Sequence, residues 1–274
     1  MADKKFSNLA PRLLTGILGA AAIIFGIVYS EWLYFAVFFA IVLFSLLEFY
    51  KLSGIDGLIP QKTFGVACGI IIFSLSFFIA RGSLSPKYFY AFFPLICCLF
   101  IIKLYKQFER KPFTNIAITV LGIFYTAVPF ALLNMAVFEE NKYNYEIILG
   151  CLLILWATDT GAYFAGTFFG KRKLFERISP KKSWEGFAGG AILAMIFAYG
   201  SSIYFTTLAQ WQWLCIGWII IIGGTYGDLV ESLLKRSIAI KDSGTSLPGH
   251  GGFLDRFDGL FISAPFIVAF LEIF

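Results

Sequence analysis

The run WLYFAVFFAIVLFSLLEFY, residues 32–50, decides the fold. Its one ionisable carboxylate, Glu48, lies near the end, and Phe, Tyr, Trp, Val and Ile fill most of the rest. In water such residues favour strands. A stretch this long matches the ~20 helical residues needed to cross a ~30 Å hydrocarbon core, and backbone facing lipid must satisfy its own hydrogen bonds, so it becomes a helix. Eight further runs have the same character: 13–30, 63–80, 88–104, 113–138, 147–169, 186–209, 213–230 and 257–274. The sequence therefore predicts an all-α, polytopic integral membrane protein with about nine transmembrane helices.

Composition agrees. The 274 residues are 59% hydrophobic and 14% charged, with a mean hydropathy of +0.80. A soluble domain is excluded, since its apolar share is about 45–50%. The net charge of +5 becomes informative once the cations are sorted by loop. With nine spans, 19 of the 22 basic residues fall on one side, leaving Arg81, Lys87 and Lys142 on the other. The positive-inside rule then predicts a cytoplasmic N-terminus, a cytoplasmic segment 231–256 and a C-terminus outside. The charged lead and apolar run of residues 1–30 resemble a signal peptide, but a second apolar run follows at once, and a retained first helix is expected. Cys68, Cys97, Cys98, Cys151 and Cys215 all lie in apolar runs without a CxxC pair, which argues against zinc and disulfides.

The two halves differ. Residues 1–145 read as scaffold and lipid-contact helices with interfacial aromatics such as Tyr29, Trp32, Tyr88 and Tyr90. Residues 146–274 read as a catalytic transmembrane half with cytoplasmic loops 170–186 and 231–257. Here Asp159 interrupts CLLILWATDTGAYFAGTFFG, and Asp228 ends LCIGWIIIIGGTYGDLVES. A carboxylate at such depth is costly and normally faces a polar cavity or a partner.

Charge and glycine concentrate in ESLLKRSIAIKDSGTSLPGHGGFLDRFD, residues 231–258. Lys235, Arg236, Lys241 and Arg256 stand there against Glu231, Asp242, Asp255 and Asp258. Carboxylates without a matching set of His or Cys are hard oxygen ligands that suit Mg²⁺. Asp255 and Asp258, at i and i+3, share a helical face if the last helix begins there, and Asp255 could equally serve as a helix cap. Gly249, Gly251 and Gly252 flank His250 and let backbone amides approach a phosphate, although the spacing also suits a tight turn. Upstream, SPKKSWEG sets Lys181, Lys182 and Ser183 at a helix start, where anions are favoured, whereas Lys171, Arg172 and Lys173 are expected mainly to set topology.

The run SLLKRSIAIKDSGTSLPGHGGFLDRFD, Ser232 to Asp258, resembles the signature of bacterial phosphatidate cytidylyltransferases, or CDP-diacylglycerol synthases. ATDTGAYFAGTFFGKRK (157–173), SPKKSWEG (179–186) and GDLVES (227–232) are similar to that family as well, while the first half matches it only in hydropathy. The resemblance implies transfer of CMP from CTP to phosphatidate, giving CDP-diacylglycerol and pyrophosphate, with Mg²⁺ and room for K⁺ as a second cation. It carries the family's paired metal-binding aspartates onto Asp228 and Asp255. The catalytic group it suggests is Asp228, Asp255, Lys235, Arg236, Lys241, Asp242, Arg256 and Asp258. Substrate and phosphate binding fall to Asp159, Lys181, Lys182, Ser183, Ser232, Gly249, His250, Gly251 and Gly252. The implied setting is the bacterial inner membrane with the site facing the cytoplasm. Phosphatidate, CTP and the bilayer are the expected partners, with no nucleic acid, and a homodimer stays open. A phosphate monoester, with a second pKa of about 6, is already an anionic nucleophile near neutrality, so His250 is expected to position groups and not to act as an obligatory base. Two rivals are an ion-coupled secondary transporter, which leaves 231–258 unexplained, and a CDP-alcohol phosphotransferase, whose DGxxAR-type motif is absent.

Overall fold

The computed structural model describes residues 9–54, 57–240 and 252–274. Helix follows helix. After α1 (Leu9–Tyr29), α2 (Glu31–Ser53) and α3 (Lys62–Ala80), a 3-10 turn (Pro86–Ala91) leads into α4 (Phe92–Leu104). The stretch Pro112–Ala136 is built from α5 (Pro112–Gly122), a π turn (Ile123–Ala127) and α6 (Val128–Ala136). Then come α7 (Glu146–Phe169), α8 (Trp184–Tyr204), α9 (Gln210–Ser237) and α10 (Leu254–Ile273). The strands among the described residues form two short antiparallel hairpins, β1 (Phe138–Glu139) with β2 (Lys142–Tyr143) and β3 (Lys173–Phe175) with β4 (Ser179–Ser183). Seven helices among the described residues are long and apolar enough to cross a membrane, and Gly16–Tyr29 is a shorter apolar helix. The chain is an all-α polytopic membrane protein.

Two stretches differ from the expected outline. The run 213–230 is the middle of a longer helix, so Glu231, Ser232, Lys235 and Arg236 lie on α9 and not in a loop. ESLLKRS is a good helix-forming segment, Glu231 pairs with Lys235 at i, i+4, and cations complement the negative helix end. The loop 170–186 is closed by the β3–β4 hairpin, with the Lys171 and Arg172 amides donating to the Glu185 carboxylate at 3.0 and 3.2 Å.

The chain divides into two compact units, Met1–Asn134 with Ile240–Arg256 and Met135–Ala239 with Phe257–Phe274. In the first, Tyr34, Phe38, Phe73, Phe77 and Phe130 form a buried aromatic core. Asn134 and Lys103 show how buried polar groups there are satisfied in an apolar surrounding. Asn134 accepts from the Tyr34 hydroxyl (2.9 Å) and donates to the Phe73 carbonyl (3.0 Å) and the Ser76 hydroxyl (2.7 Å). Lys103 is buried, donating to the Ile59 carbonyl at 2.9 Å and pairing with Glu109. Burial pushes the Glu109 carboxyl up, but hydrogen bonds from Lys103 and Asn115 outweigh it and hold the group below its ordinary value.

The second unit rests on close helix approach. A Cβ on Gly161 of α7 would lie 2.6 Å from the Gly189 carbonyl oxygen of α8, so only glycine fits. Without a hydrophobic drive between helices in lipid, such backbone proximity supplies the packing. α9 packs against both α7 and α8.

Candidate active site

Gly227 brings the acids together. A Cβ there would sit 2.3 Å from the Asp258 carbonyl oxygen and 2.8 Å from the Gly259 Cα, so α9 and α10 meet backbone to backbone at this point. The next residue on α9 is Asp228, and the residue touched on α10 is Asp258. Glu231, one turn beyond Asp228, is 1% exposed. One carboxylate oxygen from each of Asp228, Glu231 and Asp258 lies within 4.8 Å of the others. Three hard oxygen donors, with no His or Cys beside them among the described residues, fit Mg²⁺.

Cations balance part of this charge. The Lys182 ammonium lies 2.6 Å from Asp228 Oδ2 and donates to the Thr225 carbonyl at 3.1 Å. Glu231 pairs with Lys235. Asp159, exposed on α7, is near enough to act electrostatically on Asp258. Asp228 and Glu231 thus each pair with a lysine while Asp258 stands beside them, a grouping of carboxylates that suits a divalent cation.

Strand alternation separates the two lysines of SPKKSWEG. Lys182 turns inward to Asp228, while Lys181 is exposed. Ser183 is buried and caps α8, its hydroxyl accepting from the Gly186 amide at 3.1 Å. Ser232 Oγ donates to Asp228 Oδ1 at 3.4 Å. Asp255 stands in the first turn of α10, where its carboxylate accepts from the Gly252 amide at 3.5 Å, and Arg256 beside it is exposed. Arg236 lies in the last turn of α9. Lys241, Asp242, Gly249, His250 and Gly251 lie outside the described residues.

An apolar groove of about 280 Å³ is lined by Leu174, Phe175, Trp184, Phe187, Ile222, Tyr226 and Leu229 and by Thr225, whose carbonyl accepts from Lys182. The β3–β4 hairpin supplies one wall and α9 another.

The sequence reading did not place Glu231 in the site. The signal was available, because Asp228 and Glu231 are spaced i, i+3 and share a face of any helix through GDLVES.

The model of the cytidylyltransferase family matches residues 10–274. The chain is 33% identical to a phosphatidate cytidylyltransferase of Bacillus subtilis (strain 168) over 281 aligned positions, 97% of this chain and 99% of that protein. It is 39% identical to a phosphatidate cytidylyltransferase of Staphylococcus saprophyticus over 176 positions, 63% of this chain and 66% of the relative. A protein of the same name from Staphylococcus aureus (strain COL) is 38% identical over 177 positions, with the same coverage.

Proposed function

The chain belongs to the cytidylyltransferase family, and on that premise we infer that it joins phosphatidate to CTP, forming CDP-diacylglycerol and releasing pyrophosphate. It is a membrane nucleotidyltransferase acting on a lipid. The observation that carries the reading is Lys182, which pairs with Asp228 of the carboxylate cluster and donates to Thr225 of an apolar groove. An anionic two-chain lipid needs a cation at its head and apolar walls below it, and a nucleoside triphosphate needs its charge neutralised.

A phosphate oxygen of phosphatidate attacks the α-phosphorus of CTP. The new P–O bond forms as the bond from the α-phosphorus to the bridging oxygen breaks, and pyrophosphate leaves with that electron pair. The nucleophile is already ionised, so the protein's task is to bring two polyanions together. Lys182 keeps one donor on the Thr225 carbonyl and one on Asp228 and offers the third to phosphate, while Lys235, Arg236 and Arg256, with Lys241, supply further positive charge. Asp228, Glu231 and Asp258, together with Asp255 by family resemblance, would hold Mg²⁺, with K⁺ as a second cation. When bound, the metal neutralises phosphate charge and stabilises the leaving group. The bacterial relatives and the cation asymmetry support an inner-membrane protein whose site faces the cytoplasm.

The direct test supplies purified protein with phosphatidate, Mg²⁺ and each α-labelled nucleoside triphosphate. CTP label should enter the lipid fraction as pyrophosphate appears in equal amount. Ion movement in proteoliposomes with no lipid product from any nucleotide would favour the transporter.

Two substitutions test the division of the site. Lys182→Ala is expected to lower kcat/KM by roughly 10- to 100-fold, the worth of a charge-assisted hydrogen bond, and Lys181→Ala by less than about threefold. Equal losses would show that the inward turn of Lys182 is irrelevant to substrate. Filling the groove with Ile222→Trp should raise KM for phosphatidate roughly fivefold and leave KM for CTP unchanged, as expected of a blocked apolar subsite. A parallel rise for CTP would assign the groove away from the lipid.

A further inference from the structure

The first unit holds a carboxylate to which the scheme above gives no role. Glu48 of α2 is 4% exposed, on a helix otherwise filled with Phe, Leu and Val. A charge so placed persists only if something holds it. Its Oε2 accepts a hydrogen bond from the Leu254 backbone amide at 3.2 Å, across 206 positions of sequence. Leu254 is the first residue of α10, where backbone N–H groups have no partner within the helix. A side-chain oxygen at such a position normally comes from a Ser, Thr, Asp or Asn just before the helix. Here the preceding residues are Gly251, Gly252 and Phe253, none of which has a side-chain acceptor. The cap is supplied by another helix instead, and its negative charge meets the positive end of the helix dipole.

Two further contacts hold the same junction. Phe44, one turn before Glu48 on α2, stacks on Phe253 with ring centroids 5.0 Å apart and planes 19° from parallel. The Gly252 amide donates to Asp255, the acid of the first turn. Leu254 itself is fully buried. The backbone on which Asp255 stands is thus tied to α2 by a charge, a ring and a buried leucine.

We propose that Glu48 is a positioning residue for the transfer reaction, capping α10 from α2 and so fixing the Asp255 carboxylate. This rests on the reading above in which Asp255 serves the chemistry. Glu48 acts in this role through the start of α10. It gives the amino-terminal half a part in catalysis that neither hydropathy nor motif suggests.

The test compares Glu48→Leu, which removes the acceptor, with Glu48→Gln, whose amide oxygen accepts the same bond. Amide hydrogen exchange in detergent should speed up about tenfold over the opening of α10 in the Leu variant, and the Gln variant should recover most of the protection. In turnover assays the Leu variant should lose kcat by about tenfold or more with KM for phosphatidate within about twofold, and should need more Mg²⁺ for half its maximal rate, while Gln stays within about threefold of wild type. A lost structural contact would lower the amount of folded enzyme without moving the Mg²⁺ requirement. If the Leu variant does not accumulate, Glu48→Asp, which keeps the charge but shortens the reach, is read in the same way. Unchanged exchange at the start of α10, or faster exchange with wild-type turnover and Mg²⁺ requirement, overturns the proposal. The exchange measurement needs no substrate, so wild-type protein that fails to turn over phosphatidate and CTP refutes the reaction and leaves the cap to be judged separately.

Discussion

Asp228→Asn is expected to lower turnover by roughly a thousandfold or more, because it removes one full negative charge from the point where the acids of α9 and α10 converge. The substitution keeps the size of the side chain and leaves Oδ1 able to accept from Ser232, so membrane insertion and detergent-solubilised mass should not change. Asp228 is about half exposed and held by Lys182, so no packing is lost with its charge. The same loss is expected of Asp255→Asn on the family resemblance. Steady-state rates across a Mg²⁺ titration check both. Near-normal rates at saturating Mg²⁺ in both variants would remove these aspartates from the metal site.

Gly227→Ala should cost about a hundredfold in turnover although it adds only a single methyl group. The added Cβ would lie 2.3 Å from the Asp258 carbonyl oxygen, and its neighbours are backbone atoms that cannot swing aside as a flexible side chain could. The helices must separate, and a displacement of about 1 Å at catalytic groups is worth on the order of 10²-fold. Gly200→Ala on α8 is the control, since nothing lies within 4 Å of its new methyl group, and it should be neutral in rate and in thermal stability. Equal behaviour of the two variants would mean that the close approach at Gly227 does not set the geometry of the acids.

The stretch GDLVES shows how far one-dimensional reading reaches. Asp228 is conspicuous because it ends an apolar run, and Glu231 is recoverable from its spacing alone. Whether Asp228 meets an acid of α10, and which one, depends on where two helices cross. That crossing is set at Gly227 and Gly259 by the absence of side chains. KKS at 181–183 shows the same limit. Two adjacent lysines are equal as letters, and hairpin register turns one toward Asp228 and leaves the other outside. Lys103 is one cation of a basic stretch in the sequence, and its partners Glu109 and Ile59 become visible only when the chain is folded.

Apolar runs about as long as a bilayer is thick determine helices, because lipid offers the backbone no other hydrogen-bond partner. Residue order alone therefore determined the all-α membrane class and the stretches that carry it, while its motifs pointed to the family and to most of the acids and cations of the site. Tertiary structure alone decided that Asp228, Glu231 and Asp258 share a few ångströms, that Lys182 and not Lys181 faces them, and that Glu48 caps a helix 206 positions away. Helical periodicity is local and fixes which face a side chain occupies. Which faces meet is settled by steric fit between helices distant in sequence, and no local pattern encodes that fit.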